Sequence, residues 1–142
     1  MKTYSFRKEE RLKSRKLIET LFREGKAFSV FPYRVIYMPV KLPAEEYPVQ
    51  VGFSAASRHF PRAVDRNRVK RLGREAWRLQ KQVLYDHLRQ HSLQLAIFLI
   101  YTDKKIAPFP TLHHKISVIL ERLKKATEPK EPLNEAQQGE VP

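Results

Sequence analysis

The chain has 142 residues, a length that suits one domain. Its 28 Lys and Arg against 15 Asp and Glu leave a formal charge of +13, which favours a polyanionic partner: nucleic acid first, an anionic membrane surface second. The absence of cysteine excludes disulfides and cysteine-ligated zinc, and no apolar run approaches the roughly 18 residues that span a bilayer. The stretch Met1-Lys2-Thr3-Tyr4-Ser5-Phe6-Arg7 has no secretory apolar core, so a cytoplasmic protein without membrane attachment is expected.

Residues 1–10 read as a flexible basic arm, and 11–126 as one α+β domain. Ser14 can cap a helix over 14–24 whose apolar face is Leu17, Ile18, Leu21 and Phe22, with Gly25 as its stop. From Phe28 the residues become β-branched and aromatic. A short strand over 28–31, a break at Pro32 and a longer strand Tyr33–Met38 follow, with Tyr33, Val35 and Tyr37 sharing one face. A Pro- and Glu-containing loop over 41–47 returns the chain as a strand over 48–56. Asp65 is the expected cap of a second helix, with Val69, Leu72, Ala76, Leu79 and Val83 as its core stripe and Gly73 central to neither face. Leu93–Tyr101 is nearly all apolar, as in a buried central strand, and Thr111 can cap a third helix with Ile116, Ile119, Leu120 and Leu123 inward. The order helix, three strands, helix, strand, helix argues an α+β domain with a small sheet covered by helices. Residues 127–142, with four Glu against one Lys and three Pro, read as a disordered acidic tail.

The positive charge is concentrated. Residues 58–81 hold nine Lys and Arg against Asp65 and Glu75. On the second helix Asn67, Lys70, Arg71, Arg74 and Arg78 fall opposite the apolar stripe, with Arg66 and Arg68 at its flanks. A helix that fixes one side to a sheet and offers a guanidinium-rich ridge on the other suits phosphate, which a planar N–H fork matches. The helix N-terminus beside Arg62 and Arg66 adds backbone donors and partial positive charge. A merely solvated face would mix signs, whereas Glu75 is the one acid in 66–75.

The run Arg66-Asn67-Arg68-Val69-Lys70-Arg71-Leu72-Gly73-Arg74-Glu75 resembles the signature of the ribonuclease P protein family. Val51-Gly52-Phe53-Ser54 before a basic loop, Arg62-Ala63 ahead of the signature, and Arg11-Leu12-Lys13-Ser14 leading into a helix that ends Leu21-Phe22-Arg23 are similar to the family pattern. The resemblance runs from about residue 5 to 125. It implies a ribosomal-protein-like αβββαβα fold with a left-handed crossover through the basic helix, an exception to the usual hand. It also implies a protein subunit that binds the catalytic RNA of ribonuclease P through Arg62, Arg66, Asn67, Arg68, Lys70, Arg71 and Arg74. A cleft between the first helix and the sheet would hold the 5′ leader of precursor tRNA, lined by Ile18, Phe22, Tyr33, Arg34, Tyr37 and Arg58. Ile18 stands where the family often has an aromatic, and Ser57-Arg58 where a Lys pair is common.

The same resemblance assigns the chemistry to the RNA and its Mg²⁺, with no catalytic residue, metal or cofactor held by the protein alone and no obligate protein partner. The residues agree: Asp65, Asp86 and Asp103 are scattered, whereas a metal nuclease needs clustered carboxylates. His87 and His91 lie one helical turn apart, but no third ligand joins them in a recognisable motif. Three alternatives stay open at this stage. They are a structural RNA-binding module of similar topology, a DNA-binding helix protein, and a protein-only nuclease.

Overall fold

The computed structural model describes residues 5–129. The first helix, α1 (Arg15–Glu24), starts where the sequence places it: the Ser14 hydroxyl accepts from the Leu17 amide at 3.2 Å. It stops for a different reason than a left-handed glycine. Gly25 is extended, with φ −74°, and a Cβ there would lie 2.6 Å from the Leu21 carbonyl and 2.9 Å from Ile36. Crowding, not backbone freedom, requires the glycine.

Strands β1 (Lys26–Val30), β2 (Tyr33–Pro39), β3 (Val49–Ala55) and β4 (Leu95–Tyr101) form one sheet in the order β1-β2-β4-β3. The β1–β2 and β2–β4 pairs are antiparallel and β3–β4 is parallel, so the chain between β3 and β4 must cross over. That crossover is α2 (Ala63–Gln80) followed by α3 (Gln82–Gln90), and α4 (Phe109–Ala126) closes the described chain. The order is the expected αβββαβα, with the second helix broken at Lys81 into two.

The sheet has two unequal faces. Tyr33, Val35, Val49, Val51, Leu95, Ile97, Leu99 and Tyr101 point to the α2–α4 side, where they meet Trp77, Leu84, Leu88, Ile116 and Leu123 in the main core. Full burial of such side chains contributes about 1.5–3 kcal/mol each. On the other face α1 covers a smaller core of Leu12, Leu21, Ile36 and Ala96, with Ile18, Phe98 and Ile100 partly buried around it.

Several expectations are corrected here. The buried face of α2 is Val69, Gly73, Ala76 and Trp77, while Leu79 and Val83 are exposed. Gly73 is central to that face: a Cβ would stand 3.0 Å from the Phe53 ring and 3.1 Å from the Tyr33 hydroxyl. Helix α2 begins two residues before Asp65, which takes the Arg62 guanidinium at 3.2 Å and sits in the first turn, where an acid favours the dipole. Helix α4 begins at Phe109, with Pro in its first turn, so Thr111 is inside it rather than its cap. Residues 5–10 are packed against the domain: Lys8–Glu10 makes a 3-10 turn and Glu10 is buried. At the other end Thr127 is docked, its hydroxyl 3.1 Å from His87 Nε2. The remainder of the expected tail, 130–142, lies outside the described residues, as do residues 1–4 of the arm.

Candidate nucleic-acid interface

Two cationic surfaces flank the β3 edge, one on each side of the sheet. The first is the outer side of α2. Arg68 and Arg71 are exposed, Lys70 and Arg74 half-buried, and none of the four has a hydrogen bond or ion pair among the described residues. Asn67 is exposed beside them. The other basic residues of this stretch are engaged. Arg66 Nη1 donates to the Phe60 and Pro61 carbonyls at 2.8 and 2.9 Å, which fixes the loop that leads into α2. Arg78 pairs with Glu75, Arg62 with Asp65, and Lys81 is buried against Glu10. The free ridge is therefore shorter than the charge count implies. Burial, and then the charges of Arg11 and Arg71, hold the Arg74 guanidinium below the usual arginine range.

The second surface lies between α1 and the sheet. Phe22 is 48% exposed, and its ring meets Phe98 edge-on with centroids 5.2 Å apart. Phe98 can lie there because Gly52 is beside it in β3: a Cβ on Gly52 would be 2.6 Å from the Phe98 ring. Ile18 is half-buried on the helix side. Arg34, Ile100 and Ser54 are in register across three strands and carry this face toward the loop that holds exposed Arg58. The surface thus combines an open aromatic pair with cations at one end, an arrangement that suits stacked, unpaired bases and their phosphates.

Tyr33 and Tyr37 are not part of it. Period-two alternation turns both to the opposite face. Tyr33 is 2% exposed and its ring packs on Tyr101 at 5.5 Å, and Tyr37 packs on Phe28 at 5.9 Å. Burial, with Tyr101 adding, pushes the Tyr33 hydroxyl above the ordinary phenol range, and it has no hydrogen-bond partner among the described residues. The residue that sequence reasoning missed is Phe98. Its signal was present: within Leu95–Tyr101 the even positions alternate to the α1 side. The continuous apolar run hid this, because both faces read as core.

The His87 and His91 rings meet edge-on with centroids 4.7 Å apart. Among the described residues no three His, Asp or Glu side chains gather as a metal site, and no helix is long and apolar enough to cross a membrane.

The fold and its two basic surfaces define a class: a small α+β protein of the nucleic-acid-binding kind, with a cationic helix on a parallel crossover. Comparison with known proteins narrows the class. The sequence model described as Ribonuclease P matches residues 6–124. A curated relative from Porphyromonas gingivalis, the ribonuclease P protein component, is 39% identical over 123 residues, covering 85% of this chain and 88% of the relative. The protein of the same name from Chlorobium phaeobacteroides is 33% identical over 129 residues, covering 84% and 88%. Among solved structures, the Staphylococcus aureus RNase P protein superposes with a TM-score of 0.65 at 20% identity, covering 82% of this chain and 97% of that one. The Thermotoga maritima RNase P protein gives 0.64 at 24% identity, covering 80% and 96%, and these two likenesses speak to fold alone. The chain belongs to the ribonuclease P protein component family. Membership carries a part in ribonuclease P tRNA processing and partnership with the ribonuclease P RNA.

Proposed function

We propose that the protein binds the catalytic RNA of ribonuclease P along the α2 ridge and holds the single-stranded 5′ leader of precursor tRNA in the α1 cleft. The reaction is endonucleolytic removal of that leader. The observation that carries this reading is the open Phe22–Phe98 pair over Gly52, with Arg34 at its end, on the face of the sheet away from the ridge. Two separated surfaces allow two RNAs to be engaged at once.

On the ridge, Arg68, Lys70, Arg71 and Arg74 contact backbone phosphates, and Asn67 hydrogen-bonds beside them. Arg62 stays near the helix start as a further cation, while Arg66 acts mainly by fixing the loop at Phe60 and Pro61. In the cleft, a leader base stacks on Phe22 and Phe98, Ile18 adds apolar contact, and Arg34 and Arg58 meet the leader phosphates. Tyr33 and Tyr37 support the sheet from behind. The protein's contribution is electrostatic and positional: it lowers the repulsion between two polyanions and fixes one end of the substrate. Bond cleavage belongs to the RNA and the Mg²⁺ that it binds.

The test is cleavage of a precursor tRNA by a bacterial ribonuclease P RNA at low Mg²⁺, with and without the protein. The expected result is restored cleavage at the mature 5′ end with both present and none with protein alone. Cleavage by the protein without RNA would overturn the division of labour. Tight RNA binding with no stimulation by any bacterial ribonuclease P RNA would leave only a structural RNA-binding role.

A further inference from the structure

The segment that precedes α1 has no part in the reading above, yet its register fixes where Arg11 points. Arg11 bridges in parallel to Val51 on the outer edge of β3, and the Leu12 amide donates to the Val51 carbonyl at 3.1 Å. Partners on adjacent strands project to the same side. Val51 faces the α2 layer, so Arg11 is turned to that layer too, while Leu12 joins the α1 core beside Gly52.

A buried network holds this segment in place. Glu10 Oε1 takes Lys81 Nζ at 2.5 Å and the Tyr85 hydroxyl at 2.8 Å, and Tyr85 in turn accepts from Trp77 Nε1 at 3.3 Å. Lys81 also donates to the Ser5 carbonyl, and its ammonium and the Arg11 guanidinium both lie over the Phe6 ring, at 5.7 and 5.6 Å. Lys81 follows Arg74 by about two helical turns on the same side of the helix. With Glu10 anchored at Lys81 and Arg11 turned to the α2 layer by its bridge to Val51, Arg11 faces the side of α2 that carries Arg74 and, one turn further, Arg71. The Arg11 and Arg71 charges both act on Arg74. No acid answers them: none of these guanidiniums has a hydrogen bond or ion pair among the described residues. Three like charges gathered without a carboxylate repel one another in the free protein, and an anion seated among them removes that repulsion.

We propose that Arg11, Arg71 and Arg74 form a phosphate seat across the seam between the N-terminal segment and α2, with Glu10 and Lys81 as its positioning residues. The phosphate is one of an RNA backbone. That source rests on the RNA-binding reading above, whereas the seat itself does not.

The test uses the full chain. Inorganic phosphate is titrated while the guanidinium Nε–Hε resonances of Arg11, Arg71 and Arg74 are followed by NMR, in the unaltered protein and in Arg11→Gln, which keeps the stem on Phe6. The three resonances should move along one binding curve. Arg11→Gln should weaken the response of Arg71 and Arg74 by about tenfold, the loss of one charge-assisted contact. In a second arm, affinity for ribonuclease P RNA is measured against salt. Arg11→Gln should reduce the salt slope by about one phosphate contact, and Arg11→Lys should restore it. Melting should be unchanged or raised, since a like charge has gone. Phosphate titration as expected without RNA binding would keep the seat and remove the RNA reading. Unaltered Arg71 and Arg74 titration in Arg11→Gln, with RNA still bound at the same salt slope, would overturn the seat and leave the reading standing. Lowered melting with no change in either titration would likewise overturn it, giving Arg11 a packing role alone.

Discussion

The α2 ridge and the α1 cleft present the same kinds of groups, cations and a few apolar side chains, but they are built differently. The ridge is local. Arg68, Arg71 and their neighbours lie within two helical turns, so the 3.6-residue period that buries Val69, Ala76 and Trp77 automatically turns them outward. The cleft draws on three distant segments: Phe22 from α1, Gly52 from β3 and Phe98 from β4. A surface of the first kind survives small changes in packing. One of the second kind depends on close approach, and a single Cβ at Gly52 would disturb it. The energetic consequences differ accordingly. Substitutions of the unpaired ridge cations should change binding and leave folding alone, while substitutions at the close approaches of the cleft, or in the buried network that anchors the seam, should change folding as well.

The largest test of that contrast is at the seam. Glu10 and Lys81 are 1% and 4% exposed, so Glu10→Ala leaves a buried ammonium without its partner. It should cost about 3–5 kcal/mol of stability in chemical denaturation. A loss below 1 kcal/mol would mean that the segment is not held by this pair.

Gly52→Ala comes next. The new methyl must displace the Phe98 ring, at a cost of about 1–3 kcal/mol. Binding of leader-bearing precursor should weaken with it, while leaderless tRNA should be little affected. Phe22→Ala removes a half-exposed ring and should reproduce the binding loss, about 1–3 kcal/mol for leader-bearing substrate, with a smaller effect on stability. If both substrates weaken equally, the Phe22–Phe98 pair is packing and not a stacking platform.

On the same helix, Arg66, engaged at the preceding loop, and Arg68, unpaired on the ridge, sharpen the comparison further. Arg66→Ala removes the donor to the Phe60 and Pro61 carbonyls and should lower stability by about 1.5–3 kcal/mol. Arg68→Ala, at an exposed position without a partner, should stay within about 0.5 kcal/mol in stability while weakening RNA affinity and lowering its salt slope. Equal thermal losses for the two would break the division drawn between them.

The smallest effect concerns Tyr33. Its hydroxyl is raised above the phenol range by burial, as is that of Tyr85, where burial acts first and Glu10 adds. A raised folded-state pKa means that the unfolded chain releases protons first. The stability tied to the neutral phenols is full below about pH 10 and declines as pH rises beyond it. Tyr33→Phe removes a buried hydroxyl that has no partner among the described residues. It should leave neutral-pH stability equal or slightly higher and flatten the alkaline decline. A clear loss at neutral pH would show that the hydroxyl has a partner in solution.

How much of this was legible in the sequence follows from range. Helix α1 with its Ser14 cap, the strand positions, the basic side of α2 and the α+β order are set by periodicities and caps within about ten residues, and a single chain displays them. Of the residues expected in a cleft, Ile18, Phe22 and Arg34 are on the α1 side of the sheet, with Phe98 beside Phe22, whereas Tyr33 and Tyr37 face the main core. Alternation along β2 separates Tyr33 and Tyr37 from Arg34, yet only the packing of α1 on the other face shows which set is open.

Sequence alone determined where the positive charge is concentrated and that a helix presents it, because charge and helical phase are properties of neighbouring residues. Tertiary structure decided which charges are free. Lys81 and Glu10 are 71 residues apart, and only the folded chain turns them from two surface charges into a buried pair. Arg11 reaches the side of Arg74 through a strand register with Val51 that no local pattern encodes. Nor does any local pattern show that Gly73 and Gly52 leave room for the Phe53 and Phe98 rings. Close approach between distant segments is set by shape and burial summed over the whole core, and that sum exists only once the chain has folded.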